Sequence, residues 1–271
     1  MPPAVPKIVA VRTDVVVAPY RRGGLGRTFR LGYEYFVFYG LLVVFATSGL
    51  IWGLAAMILA PFLPRGVGQP LGQYLIMVGF RFFVWLMQSS KIITCDLAAL
   101  DRLRNQGPLI IAPNHPTLLD VMLIISRLPR VTCTAKAKLL NNPFVGASAR
   151  FAGYIRNDRP THLVRESIRQ LHGGRQLLVF PEGTRTRSNG VGPFKGGFAL
   201  IAKHAGVPIQ TVFIESNSRF LGKGWSLLRK PEFPLVYRVR LGPAFAVESD
   251  FRCWATTLYR FYQSELDNST S

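Results

Sequence analysis

At 271 residues, 49% of them hydrophobic, the chain can bury one well-packed catalytic domain and still supply a membrane element. Its 33 Lys and Arg against 14 Asp and Glu give a formal net charge of +19, which points to nucleic acid, an anionic membrane or an acidic protein as partner. Nucleic acid is set aside: no recognition motif occurs, and the basic residues do not gather into one stripe.

Residues 1–34 read as a basic leader, with Pro2, Pro3, Pro6 and a Gly-Gly-Leu-Gly stretch breaking regular structure. From Tyr35 to Pro64 no charge occurs, and that run would be about 45 Å long as a helix, more than a bilayer core of ~30 Å requires. Pro61 and Pro64 should end it early. Tyr33, Tyr35, Phe36, Phe38 and Tyr39 crowd its start, as at a membrane interface. The run is too long for a secretory signal, and no small-residue cleavage site follows. A second apolar stretch, Tyr74 to Gln88, is interrupted by Arg81 and reads as an interfacial or re-entrant helix. Residues 35–92 are therefore expected to anchor the chain. Lys7, Arg12, Arg21, Arg22, Arg27 and Arg30 precede this region, only Arg65 lies within its link, and the remainder is basic. The positive-inside rule then places the N-terminus and residues 93–271 together on the cytoplasmic side of an inner membrane, which requires a hairpin or a dipping pair.

Beyond Leu97, strand-like and helix-like segments alternate. Strands are expected at Leu109–Ala112, Val131–Ala135, Leu177–Phe180 and Ile209–Glu215, and helices at Leu118–Arg127, Thr161–His172 and Gly196–His204. Leu235–Leu241 alternates as a half-exposed strand near an edge, and Ser249–Leu266 reads as a closing helix. This order predicts an α/β domain with a largely parallel sheet flanked by helices, preceded by a membrane-embedded helical pair.

Chemistry concentrates in two turns. Asn114-His115-Pro116-Thr117-Leu118-Leu119-Asp120 supplies a histidine and a carboxylate. Five apart on one helix, these would point about 140° from each other. Pro116 takes His115 out of the α region and starts a helix, so His115 sits in a turn and Asp120 can reach back to it. A carboxylate on one imidazole nitrogen leaves the other to take a proton from a hydroxyl. Phe180-Pro181-Glu182-Gly183-Thr184-Arg185 supplies a glycine turn and an arginine, the parts of an anion cradle. Open α/β sheets place such turns at the carboxyl ends of strands. Cys95, Cys133 and Cys253 are scattered and read as structural thiols, which argues against a covalent intermediate on cysteine. His162, His172 and His204 have no second ligand at metal spacing, so no metal site is expected.

Together with Gly153-Tyr154-Ile155-Arg156-Asn157-Asp158-Arg159, Phe194-Lys195-Gly196-Gly197 and Val207-Pro208-Ile209, these blocks resemble in order and spacing the glycerolipid acyltransferase family, over about residues 109–214. The resemblance implies acyl transfer from a thioester (acyl-CoA or an acyl-carrier protein) to a lyso-lipid hydroxyl, with no other cofactor. The default acceptor is 1-acylglycerol 3-phosphate; a lyso-ornithine lipid or lysophospholipid is the alternative, as is a non-catalytic lipid-binding protein. It further implies His115 as base, Asp120 as its partner, and Glu182, Gly183, Thr184 and Arg185 as the acceptor block. Lys136 is implied as a further acceptor-side cation, and Arg156, in a block linked to the acceptor, is expected on the same side. Thr117 stands where the family commonly has serine, Arg156-Asn157 replaces an apolar pair, and Gln210-Thr211 departs from the last block.

Overall fold

In a computed structural model, residues 24–142, 145–186, 190–247 and 251–270 are described. Most of the basic leader, residues 1–23, lies outside them. The helical region begins earlier than its charge pattern suggested: α1 (Gly24–Leu59) already contains Arg27, Arg30 and Glu34 and ends just before Pro61. Extended Pro64 caps α2 (Arg65–Ser89). Both helices are long and apolar enough to cross a membrane, the most apolar 18-residue stretch having a mean hydropathy of 2.2 in α1 and 1.3 in α2.

The two helices are used differently. Only 17% of the most apolar stretch of α1 is buried, against 39% for α2. α2 buries a face running from Gly68 to Met87 and exposes Tyr74, Phe82 and Trp85 on the other side. At Gly72 a Cβ would stand 2.8 Å from the Phe151 ring and 2.9 Å from the Ala152 Cα, so only glycine permits this approach. Polar residues in the apolar helix face the α/β domain, Gln73 and Arg81 among them. Gln73 Nε2 donates to Thr132 Oγ1 and the Ala152 carbonyl, each at 3.0 Å. Arg81 Nε donates to the Ser126 carbonyl at 3.1 Å, so the charge that interrupts the apolar pattern serves the domain contact.

The domain continues through β1 (Ile93–Asp96), β2 (Ile110–Pro113), α3 (Leu119–Ile125), β3 (Val131–Ala135), α4 (Ala137–Leu140), α5 (Gly146–Phe151), β4 (Ile155–Arg156) and α6 (Pro160–His172). β5 (Gln176–Leu178), α7 (Gly197–Ala205), β6 (Ile209–Ser216), β7 (Leu235–Phe245) and α8 (Phe251–Thr270) complete it. The 7-stranded sheet has the order β1-β7-β6-β2-β5-β3-β4. β6, β2, β5, β3 and β4 are parallel; β7 is antiparallel to β6 and carries β1 beside it. β2 is buried along its whole length, as a parallel strand covered on both faces must be. Alternate residues feed two cores. Ile111 and Leu178 join α2 and α3, while Ile110, Ala112 and Leu177 join α6, α7 and α8. Leu123, Ile124 and Ile125 are essentially fully buried, each contributing roughly 1.5–3 kcal/mol. Tyr262 seals the other face: its hydroxyl donates to the Ala112 carbonyl and accepts the Val212 N–H.

Candidate active site

The histidine turn is fixed from three directions. At the end of β2, Asn114 clamps β6: Nδ2 donates to the Ile214 carbonyl at 2.9 Å and Oδ1 accepts the Ile214 N–H at 2.7 Å. Asp120, fully buried in the first turn of α3, accepts from His115 Nδ1 at 2.9 Å. The same carboxylate accepts the Thr117 N–H at 2.8 Å and the Thr117 hydroxyl at 2.6 Å, so threonine in place of serine keeps the hydroxyl that matters here. Burial raises the Asp120 carboxyl above its ordinary range, opposed by these bonds from His115 and Thr117. An ionised Asp120 only accepts, so Nδ1 carries the proton and Nε2 is left with its lone pair. The imidazole stacks on Phe180, with centroids 3.8 Å apart and planes at 24°, and the His115 side chain keeps 12% exposure.

The second turn follows β5, which pairs with β2, so the two motifs emerge side by side. Gly183 sits at φ 66°, a left-handed turn that favours glycine. Glu182 is only 4% exposed. Its Oε1 accepts the His115 N–H at 3.1 Å, its Oε2 accepts the Gly192 N–H at 2.8 Å, and the Thr186 hydroxyl donates to both oxygens. The Thr186 N–H donates to the His115 carbonyl at 2.8 Å. The Glu182 carboxylate, expected at the acceptor, thus faces the protein's own backbone and holds the histidine turn. Gly183 and Thr184 are half-buried beside it. Arg185 Nη1 donates to the carbonyls of Leu221 at 2.7 Å and Gly222 at 3.1 Å, which aims the half-buried guanidinium along the same rim.

Lys136, exposed, caps α4 directly after β3, and Arg156 ends β4. Because the sheet runs β2-β5-β3-β4, His115, Arg185, Lys136 and Arg156 leave neighbouring strands at one carboxyl edge. At roughly 4.8 Å per strand, Lys136 is two strands from His115 and Arg156 three, about 14 Å away. Arg156 is engaged with Asp158 (Nη2–Oδ2 2.6 Å), whose carboxyl the bond holds below its ordinary range. Gln210 and Thr211, the departure in the last block, are tied to β7. Gln210 Nε2 donates to the Gly242 carbonyl and Thr211 Oγ1 to the Pro243 carbonyl, stitching the bulge between β6 and β7. Asn114, Phe180, Thr186 and Tyr237, whose hydroxyl donates to Thr117 Oγ1 at 3.4 Å, support the site without having been singled out for it. Asn114 and Phe180 lay inside the two motifs; Tyr237 carried no local signal. Among the described residues, no group of three His, Cys, Asp or Glu is placed to hold a metal ion.

These features define an α/β domain with a histidine–aspartate pair at the carboxyl edge of its sheet and an apolar helical pair at its N-terminal end. A family model described as Acyltransferase matches residues 80–215, half of the chain, and the chain belongs to that family. The 1-acyl-sn-glycerol-3-phosphate acyltransferase of Pseudomonas aeruginosa is 25% identical over 220 residues, covering 79% of this chain and 81% of that protein. The lyso-ornithine lipid O-acyltransferase of the same organism is 34% identical over 111 residues, 40% of this chain and 43% of that protein. The crystal structure of the 1-acyl-sn-glycerophosphate acyltransferase PlsC from Thermotoga maritima has the same fold, with TM-score 0.67 at 19% identity over 90% of this chain and 98% of that one. The resemblance read from the motif blocks and the expected fold class both hold.

Proposed function

We propose that the protein transfers a fatty acyl group from acyl-CoA or an acyl-carrier protein to the hydroxyl of a lyso-lipid, with 1-acylglycerol 3-phosphate as acceptor and phosphatidic acid as product. The observation that carries this reading is the His115–Asp120 pair, 2.9 Å apart, beside a turn that ends in Arg185. Nε2 of His115 takes the acceptor hydroxyl proton as its oxygen attacks the thioester carbonyl; the proton then passes to the leaving thiolate. No acyl-enzyme is needed, and the thiols of Cys95 and Cys133 are pushed up to about 12 by burial, poor nucleophiles at neutral pH. Arg185, whose planar fork suits a phosphate, and Lys136 on the neighbouring strand bind the acceptor's headgroup. Glu182 acts through His115 as a positioning residue.

The two apolar helices hold this edge at an anionic membrane, with residues 93–271 on the cytoplasmic side of the inner membrane. The polar contacts of Gln73 and Arg81 with the domain support a pair that returns to the side it entered. A second acceptor class, a lyso-ornithine lipid, is favoured by the 34% identity to an O-acyltransferase of that name. Detergent-purified protein, given 1-acylglycerol 3-phosphate or a phosphate-free lyso-lipid with each acyl donor, separates the two. Transfer confined to the phosphate-free acceptor rejects phosphatidate synthesis and the phosphate role of Arg185 and Lys136.

A further inference from the structure

We propose that the loop joining β6 to β7, residues 217–234, is itself a membrane-contacting element that seats its Leu227–Leu228 tip in the anionic leaflet alongside α1. The proposal rests on the membrane reading of the helical pair. Leu227 is 55% exposed and Leu228 65%, although the loop is well fastened on either side of them. The Tyr39 hydroxyl donates to the Leu228 carbonyl at 3.2 Å, and Tyr35, Phe36 and Tyr39 of α1 are 49%, 79% and 43% exposed. The tip therefore extends the apolar, aromatic surface of the helix. Arg219, Lys223, Arg229 and Lys230 against Glu232 give the loop a positive balance suited to anionic headgroups. The Arg229 guanidinium lies 4.8 Å over the Trp225 ring, whose Nε1 donates to the Arg229 carbonyl, an aromatic–cation pairing suited to a membrane interface.

The loop is tied to both the helix and the catalytic turn. Lys230 Nζ meets Glu34 Oε2 at 2.8 Å, each side chain only 11% exposed, and lies over the rings of Tyr35 and Phe233. Arg30 Nε meets the other oxygen of Glu34 at 2.9 Å. A buried glutamate near the start of an apolar helix is thereby accounted for: it fastens this loop. At the loop's other end, the Leu118 N–H donates to the Leu221 carbonyl, and the Leu221 and Gly222 carbonyls hold Arg185. A bilayer-seated tip thus steadies the carbonyls that aim the guanidinium, and a lyso-lipid headgroup meets it without leaving the interface.

Environment-sensitive fluorophores placed singly at Leu228→Cys, Phe36→Cys and Asn105→Cys, in a Cys253→Ser background, test this in the full chain. The chain is reconstituted into vesicles of three parts zwitterionic to one part anionic phospholipid with nitroxide-labelled lipid as quencher. Quenching at positions 228 and 36 but not at 105 is expected. Quenching at 36 while 228 behaves like 105 overturns the loop proposal and leaves the membrane anchor standing; quenching at neither overturns both. A signal at 228 that follows protein density rather than quencher reveals a second copy covering the tip, and overturns the proposal. In parallel, the Leu227→Ser/Leu228→Ser double variant should lose about tenfold or more in transfer to a vesicle-borne acceptor and nothing on a short-chain acceptor below its micelle threshold. Equal loss on both, or loss on neither, rejects membrane contact as the loop's role.

Discussion

Glu182→Gln separates two readings of one side chain. If the carboxylate meets the acceptor, as the motif alone suggests, the change weakens acceptor binding and leaves the fold untouched. The structure indicates otherwise. Glu182 is 4% exposed and accepts from the His115 N–H at 3.1 Å, the Gly192 N–H at 2.8 Å and the Thr186 hydroxyl. Glutamine can replace only one acceptor oxygen; its NH2 then faces either the His115 or the Gly192 N–H, donor against donor. Losing one charge-assisted bond and leaving a buried N–H without an acceptor costs roughly 2–4 kcal/mol. For a chain of this size that is a fall in Tm of about 4–16 °C. Thermal unfolding with parallel steady-state kinetics is the assay. The expected result is a lower Tm and a reduced kcat, with acceptor KM changed little, because the histidine turn has lost an anchor. An unchanged Tm with a KM raised tenfold for the phosphate acceptor alone would refute this reasoning and return Glu182 to the acceptor.

Asp120→Asn should lower kcat about 10²–10⁴-fold with near-native folding, since an amide no longer holds His115 in the Nδ1–H tautomer; a pH profile and circular dichroism check it. Arg185→Lys should reduce kcat/KM for a phosphate acceptor about 10–100-fold and that for a phosphate-free acceptor far less, because lysine cannot hold two carbonyls and grip phosphate bidentately. The thiols of Cys95 and Cys133 are pushed up to about 12 from 9.0, and the Tyr237 phenol to about 12 from 10.0, each chiefly by burial. The unfolded chain releases these protons first, so stability falls as pH rises above about 9, by at most ~1.4 kcal/mol per pH unit for each group. Chemical unfolding of Cys133→Ala should show a shallower loss between about pH 9 and 11 than the native chain.

The buried parallel strands and the helices packed on them were legible because their apolar runs are bounded by Gly, Pro and charge. The β3 boundaries, Val131–Ala135, match the expectation. β1 was not legible: four residues ending in Asp96 carry too short a pattern, and only pairing with β7 makes them a strand. α4 and α5 are four and six residues long, below the length at which helical periodicity declares itself. In the site, the closeness of His115 and Asp120 followed from Pro116 and local geometry. The Asn114–Ile214 clamp did not, because its partners are 100 residues apart. Glu182 was expected at the acceptor only because the family resemblance assigns its block there. Its backbone partners, His115 and Gly192, arrive from 67 and 10 residues away through tertiary packing.

The central claim is that His115 is the base for acyl transfer. The most direct measurement is single-turnover transfer by the native chain and His115→Ala, each reconstituted in anionic vesicles with saturating thioester and 1-acylglycerol 3-phosphate. Loss of at least about 10²-fold in the transfer rate, with lipid binding and Tm near native, is the result expected of a general base. Transfer within a few-fold of native in a folded His115→Ala protein would contradict it.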